Sequence, residues 1–263
     1  MPHTLNIMTY NIRGALYDDG LNSWPNREPL NVRLLQQHTP DLIGFQEVHQ
    51  ENLAILQASN GGYVHLAGTP YNDDPPYQYA AIAWNPQHLR LIDSGGFWLS
   101  KTPNRHSSSW DTACIRSATW TKLEWLETGL TFLHLNTHLD HISELARVEG
   151  AKLILKFLEA AGLPLVMTGD FNCPPASPAY RLFIEHGFVD AYVAAGNHAA
   201  RWTYHGYRGQ AYSPHEGDYD RIDWILLRDW DVEMRVGTCT IMEDSQPPLY
   251  PSDHYPVMAR LNL

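Results

Sequence analysis

Short apolar runs recur along this chain, and each stops at a polar residue. That recurrence constrains the fold more than any other feature. Leu5 to Asn11 closes on Tyr10-Asn11, and Asp41 to Gln46 ends at Glu47. LTFLHL is closed by Asn136-Thr137-His138, and LPLVMTG runs into Asp170-Phe171-Asn172. Asp223 heads RIDWILL, and Ser252-Asp253-His254 precede the last run. A sheet holds its strand ends rigidly while leaving them open to solvent, so side chains placed there can converge on one pocket.

Turn residues divide the chain into further strands at Tyr79 to Trp84, Leu89 to Leu99, Ser117 to Trp125 and Leu130 to Leu135. Leu163 to Thr168, Ile222 to Leu227, Val232 to Ile241 and Pro256 to Leu263 complete the set. Helices are expected at Arg33 to His38, stopped by Thr39-Pro40, at Ser143 to Ala160 and at Ser177 to His186. In the second of these, Leu145, Val148, Leu153, Leu155 and Leu158 recur at helical spacing. Strands outnumber helices and many are consecutive, which predicts an α/β fold of two packed mixed sheets with helices outside. No repeat or linker divides the chain, and the polar strand ends lie in both halves. A single domain over residues 1–263 is therefore expected.

Composition narrows the chemistry. Hydrophobic residues make up 44% and charged residues 18%, as in a globular protein with a buried core. The net charge of -11 disfavours non-specific gripping of duplex DNA, which relies on Lys and Arg to displace counterions. Nine tryptophans and fourteen tyrosines serve packing in the first instance, with some available to line a cleft. Cys114, Cys173 and Cys239 are far apart and suggest neither a disulfide framework nor a zinc site. The N-terminus lacks a signal-peptide pattern and no apolar stretch is long enough to span a bilayer, so a cytoplasmic location without membrane association is expected. Nothing points to an obligate protein partner.

The strand-end residues share a chemical type. Carboxylates and amide oxygens are hard ligands suited to Mg²⁺ or Mn²⁺, which one or two carboxylates commonly hold together with water and substrate phosphate. Glu47, Asp170 and Asp253, flanked by Asn11 and Asn172, form such a set. His138 and His254 suit hydrogen bonding to phosphate oxygens or proton transfer, and Asp223 suits orienting one of these imidazoles. Taken singly, each Asp or Asn after a strand is an ordinary turn former. The weight lies in the combination and its order.

TYNIRG, GFQEV, NTHLDH, TGDFN, RIDWIL and SDHYPV, in that order, resemble the successive motifs of the endonuclease/exonuclease/phosphatase superfamily, with its deoxyribonuclease-I-like fold. The resemblance implies a four-layer α-β-β-α sandwich and hydrolysis of a phosphate diester or monoester with Mg²⁺ or Mn²⁺. By position it makes Glu47 the principal metal carboxylate, with Asn11 and Asp253 close to the metal. Asp170 and Asn172 would orient water and phosphate, His138 would contact the scissile phosphate, and His254 would pair with Asp223. Either Asp170 or His254 would be the general base. SWDTACIRSATW, NTHLDHISELAR and TYHGYRG resemble a mostly bacterial branch near the deadenylase-like members. Within them Arg116, His205 and Arg208 are candidate substrate-binding residues, and Asp140 with Arg147 is read as an ion pair beside the site. The substrate is expected to be a phosphate ester, either nucleic acid or a small metabolite such as a sugar or inositol phosphate. A binding module that has lost the reaction is the remaining alternative, although every expected position holds a competent residue.

Overall fold

Two parallel strand pairs organise the structure. In the computed structural model, which describes residues 3–59, 62–213, 221–230 and 235–262, β1 (Thr4–Asn11) lies parallel to β2 (Leu42–Val48). β7 (Leu130–His138) lies parallel to β8 (Leu165–Asp170) in the same way. Parallel neighbours need a crossover, and a helix supplies each one: α1 (Trp24–His38) and α3 (Glu144–Leu158). Between them lies the one-turn helix α2 (Ile55–Ala58).

The first sheet adds β3 (Val64–Leu66), β4 (Tyr79–Trp84), β11 (Arg235–Ile241) and β12 (Val257–Asn262), in the order β11-β12-β1-β2-β4-β3. The second adds β5 (Leu89–Trp98), β6 (Ser117–Trp125), β9 (Val189–Asp190) and β10 (Asp223–Arg228), in the order β5-β6-β7-β8-β10-β9. α4 (Pro178–Glu185) and the short α5 (Ala191–Ala194) complete the α-helices among the described residues, beside three short 3-10 turns. The Val232 end of the expected strand and its terminal Leu263 counterpart lie outside the described residues. No helix among the described residues is long and apolar enough to cross a membrane.

Period-two alternation builds the layers. Leu5, Ile7, Leu42, Phe132, Val166, Ile225 and Leu227 point between the sheets and form one core with Ile82, Trp84, Trp125 and Leu261. Met8, Tyr10, Ile43 and Phe45 point the other way, against Leu34 and Leu35 of α1. Leu133, Leu135, Met167, Trp224 and Leu226 meet Ile154, Leu155 and Leu158 of α3 and Phe183 of α4. Helix, sheet, sheet, helix is the four-layer sandwich the motifs implied.

Toward the ends of the parallel strands, the inward positions turn polar. Gln46 Nε2 donates to Asn136 Oδ1 (2.8 Å) on the opposite sheet and to Thr9 Oγ1 (3.2 Å). Asn136 Nδ2 donates to the carbonyls of Phe45 (2.7 Å) and Ala81 (2.9 Å), again across the sandwich. Thr168 and His134 extend the layer, with Thr168 Oγ1 2.7 Å from His134 Nε2. Gly44 is obligatory here, because a Cβ on it would lie 1.9 Å from Thr168 Oγ1.

Two expectations change. α1 begins nine residues before Arg33, at Trp24, because Pro25 sits in the first turn where no N–H is needed and Pro29 deletes only one internal bond. In α3 the buried stripe is Ala146, Gly150, Ala151, Ile154, Leu155 and Leu158, whereas Leu145 is exposed. Small residues let this helix approach the sheet closely, so the large apolar side chains marked Leu155 and Leu158 correctly but missed Ala146, Gly150 and Ala151.

Candidate active site

The rims of the two parallel pairs meet at a cleft of about 690 Å³. Glu47, His138, Asp170, Asn172, Asp253 and His254 line it, and Asn11 and Asp223 lie buried behind that lining. The eight strand-end residues therefore come together.

In the second sheet three of them stand in a row. His138 pairs in register with Asp170, and Asp170 with Asp223 across the antiparallel neighbour. Asp170 is the hub. Its Oδ2 accepts from Asn11 Nδ2 (2.9 Å) and lies 3.3 Å from His138 Nε2 and 3.8 Å from His254 Nε2. Its Oδ1 accepts from the backbone N–H of Asn172 (2.9 Å), an Asx turn that explains the left-handed φ of 50° at Asn172. Burial and the neighbouring Asp223 raise the Asp170 pKa well above the usual carboxylate range, against the pull of His254 and Asn11.

The two histidines differ in charge. Burial, then Arg116, keep His138 neutral by lowering its pKa. Arg116 Nη1 lies 3.1 Å from His138 Nδ1, and a guanidinium only donates, so Nδ1 accepts; Nε2 lies 2.9 Å from Asn172 Nδ2 and 3.3 Å from Asp170 Oδ2. His254 Nδ1 lies 3.0 Å from Asp223 Oδ2. Burial opposes a charge on His254, but Asp223 and Asp170 outweigh it and push its pKa up to about 10.

In the first sheet, a bulge aims the key carboxylate. The register of β2 against β4 shifts between Phe45 and Val48, and Glu47 takes a φ of 60°. Gln46 keeps the inward direction of Leu42 and Gly44, while the bulge turns its neighbour Glu47 to the cleft. A left-handed non-glycine residue at such a place is strain that the surroundings must hold. Asn11 Nδ2 donates to Glu47 Oε1 (3.2 Å) as well as to Asp170, while its Oδ1 accepts from the Arg13 N–H (3.1 Å). Asn11 thus presents its nitrogen to the carboxylates, and its oxygen is already engaged.

A divalent cation fits the residues present. Glu47 Oε2 is buried with no hydrogen-bond partner. Burial raises the Asp253 pKa, and Glu47 adds to that rise. Arg13 answers this charge only in part, lying 3.7 Å from Glu47 and 3.9 Å from Asp253 while bonded to Asp19 at 3.0 and 3.1 Å. Oxygen donors carrying unneutralised charge are the set that hard cations take. Asp170, Asp223 and His254 also offer ligand atoms within 4.8 Å of one another, but there the imidazolium already serves as the counter-charge.

One buried cation holds the first-sheet side in place. Arg27 of α1 is fully buried and donates to the carbonyls of Ile12 (2.9 Å), Arg13 (3.0 Å), Asn22 and Pro251 (2.8 Å). Asn31, one turn on, donates to Pro251 O (2.8 Å) and accepts from Tyr10 (2.7 Å). Ser252 Oγ donates to Asn11 O (2.6 Å), so the loop bearing Asp253 and His254 is tied to the end of β1.

The other sequence candidates separate. Arg116 is buried in the cleft wall. His205 lies outside the cleft lining, its ring packed 4.0 Å from Tyr255 and 5.0 Å from Tyr250. Arg208 is exposed and stacks over Tyr212 at 4.6 Å. Arg147 forms no ion pair with the Asp140 carboxylate: it donates to the Asp140 carbonyl at 2.9 Å, and backbone amides take up the carboxylate. Cleft-lining residues that the sequence did not single out include Arg13, Tyr17, Tyr71 and Tyr204, with His49 and His141 beside them. Arg13 stands inside TYNIRG, so that motif held a usable signal; the tyrosines had none beyond their number. No tryptophan lines the cleft.

A sequence model of the endonuclease/exonuclease/phosphatase family matches residues 8–254. Among solved structures, an endonuclease/exonuclease/phosphatase protein from Bacteroides vulgatus is 32% identical, with a TM-score of 0.86 and coverage of 99% of both chains. A mannosyl-6-phosphatase from Bacteroides thetaiotaomicron is 27% identical, with a TM-score of 0.86 over 98% of this chain and 99% of its own. Nocturnin from Drosophila melanogaster is 26% identical over 165 residues, which is 60% of this chain; that match spans only 25% of the relative's length.

Proposed function

The chain belongs to the endonuclease/exonuclease/phosphatase family of phosphoester-hydrolysing enzymes, and from that premise we propose a divalent-metal-dependent phosphatase of small phosphomonoesters, with sugar phosphates as the substrate class. The cleft carries this reading. Its volume of about 690 Å³ suits a small ligand, and its lining holds two arginines, Arg13 and Arg116, and no lysine. A polyanion needs a longer track of cations, and the net charge of -11 works against one. Tyr17, Tyr71 and Tyr204 offer faces and hydroxyls to a polar organic group beside the phosphate. The likeness to a mannosyl-6-phosphatase over nearly the whole of both chains supports the same class. Residues 1–263 act as one catalytic domain in this reading, since both sheets contribute to the site.

Glu47 and Asp253 are the carboxylates that would hold Mg²⁺ or Mn²⁺, and Asn11 spaces Glu47 from Asp170. When bound, the ion supplies Lewis-acid polarisation of the phosphoryl group and neutralises its charge. The chain's own groups divide the remaining work. Asp170, whose raised pKa makes it a competent base, takes the proton from the attacking water. His254 is already charged by Asp223 and meets a phosphoryl oxygen as a cation. His138 and Asn172 hold the remaining oxygens, and Arg116 anchors the phosphate.

The test is a panel of sugar phosphates, inositol phosphates and short RNA and DNA, with Mg²⁺ or Mn²⁺ and with chelator. Metal-dependent release of inorganic phosphate from monoesters is expected, with weak dependence on salt. Faster cleavage of an oligonucleotide, falling steeply as salt rises, would overturn the assignment.

A further inference from the structure

We propose that Asp140 is a positioning residue for substrate binding, its carboxylate fastening the segment that carries Arg116 to the loop that follows His138. This rests on the reading of Arg116 as the phosphate anchor. The carboxylate is buried and both oxygens are engaged, each to a different wall of the cleft. Oδ2 accepts from the backbone N–H of Ala113 (2.9 Å) and Cys114 (3.1 Å), and the Thr112 hydroxyl lies 2.8 Å away. Oδ1 accepts from the N–H of Ile142 (3.0 Å) and Ser143 (2.6 Å). Burial opposes the charge, but the bonds from Ser143, Thr112, Cys114 and Ile142 hold this carboxyl below the usual range.

The fastened segment needs the help. Trp110 and Asp111 are consecutive left-handed residues, with φ of 60° and 57°, a conformation that costs free energy at each non-glycine position. Ser143 Oγ donates to Trp110 O (2.9 Å), so the same loop secures the strained corner from its other side. Arg147 braces the backbone of Asp140 from α3. From this anchorage the chain runs through Cys114 and Ile115, which line the cleft, to Arg116.

Arg116 is held loosely by comparison. Its Nε is buried without a hydrogen-bond partner, and its Nη1 meets only the neutral His138. The Tyr71 ring lies 5.5 Å from its guanidinium carbon. Its aim therefore depends on where the backbone of its own segment is held: on one side by the Leu99 N–H, which donates to Arg116 O (2.8 Å), and on the other by the Asp140 bonds at Ala113 and Cys114. An Asn at 140 would turn an NH₂ group toward amide N–H donors and release one of the two walls.

The experiment measures steady-state kinetics on an aryl phosphate monoester for wild type, Asp140→Asn, Arg116→Ala and the double variant, with thermal melts of each. Asp140→Asn is expected to raise KM about tenfold while kcat stays within about threefold. In the Arg116→Ala background the same change should add little, because the two act through one element. Multiplying effects in the double variant, or a fall in kcat at unchanged KM, would overturn the proposal. If Asp140→Asn fails to fold, Thr112→Val removes the hydroxyl that lies 2.8 Å from the same oxygen and 2.6 Å from Cys114 O in the fastened segment, and should raise KM in the same direction, about two- to threefold. An unchanged KM there would overturn it as well. A wild-type enzyme inert toward the monoester would refute the proposed function instead; the cycle is then run on whichever phosphoester is turned over.

Discussion

The two crossover helices occupy equivalent places on opposite faces of the sandwich, yet they bury different chemistry. α3 turns Ala146, Gly150, Ala151, Ile154, Leu155 and Leu158 inward, a face made for close packing. α1 buries Leu30, Leu34 and Leu35 but also Arg27 and Asn31, whose polar groups reach the backbone of the catalytic loops. One helix holds up its sheet, while the other also holds the site. Equivalent topology therefore does not imply equivalent sensitivity to mutation.

The comparison breaks most readily at Arg27. Arg27→Met should leave several buried carbonyls without donors, costing about 3 kcal/mol or more of stability. Turnover per folded molecule should fall at least about hundredfold, since Arg13, Asp253 and His254 all follow from the carbonyls it binds. A variant that is destabilised but fully active would show that α1 only packs. Ile154→Ala in α3 is the counterpart: a cavity cost of about 2–5 kcal/mol in urea titration, with kcat and KM of the folded fraction nearly unchanged. Should that substitution impair kcat as much as stability, the division between the helices fails.

A smaller effect separates the cross-sheet layer from both helices. Burial lowers the His134 pKa to about 3, below the usual value of 6.5 in the unfolded chain. The unfolded state therefore takes up a proton that the folded state refuses. Stability from the neutral ring is complete above pH 6.5 and is lost as pH falls toward 3. At pH 5 the part of the loss due to His134 should be about 2 kcal/mol relative to neutral pH. His134→Gln should remove that part, while His205, also lowered to about 3 by burial, contributes equally to both proteins. Urea melts of both proteins at pH 7 and pH 5 measure the difference; parallel losses would show that His134 is not the proton acceptor. The smallest effect is expected at Gly150→Ala in α3. A Cβ there meets Leu99 Cδ1 at 3.4 Å, ordinary contact, so better helix propensity should stabilise by up to about 1 kcal/mol without altering activity. A drop in melting temperature would mean that the helix already sits as close to the sheet as it can.

Much of the architecture was legible because strands advertise themselves through a period of two and through the residues that stop them. Asn11, Glu47, His138, Asp170 and Asp223 all sit at strand ends, and that placement survives in the structure. What escaped has a common cause: its meaning depends on partners far away in sequence. Arg27 lies among prolines and asparagines that read as loop, and nothing local says that Pro251 will be its acceptor. The bulge at Glu47 appears only when β2 meets β4. His205 matched a motif segment, yet packing between two tyrosines removes it from the cleft. Asp140 and Arg147 drew attention as opposite charges, whereas Arg147 bonds the Asp140 carbonyl and the Asp140 carboxylate bonds backbone amides and the Thr112 hydroxyl.

The polar layer between the sheets has a further consequence for how the molecule assembles. Grease can bring two sheets together in many alignments, but the side-chain nitrogens buried at Gln46 and Asn136 reach their acceptors on the opposite sheet in only one. A slip of one sheet by a single residue would strand every member of the layer at once. The cleft lies directly beyond that layer, so the halves proposed to bind metal and phosphate can face each other only when the sandwich has locked into register. Assembly of the chain and competence of the site should thus appear as one cooperative event, with no half-built enzyme exposing its acidic pocket.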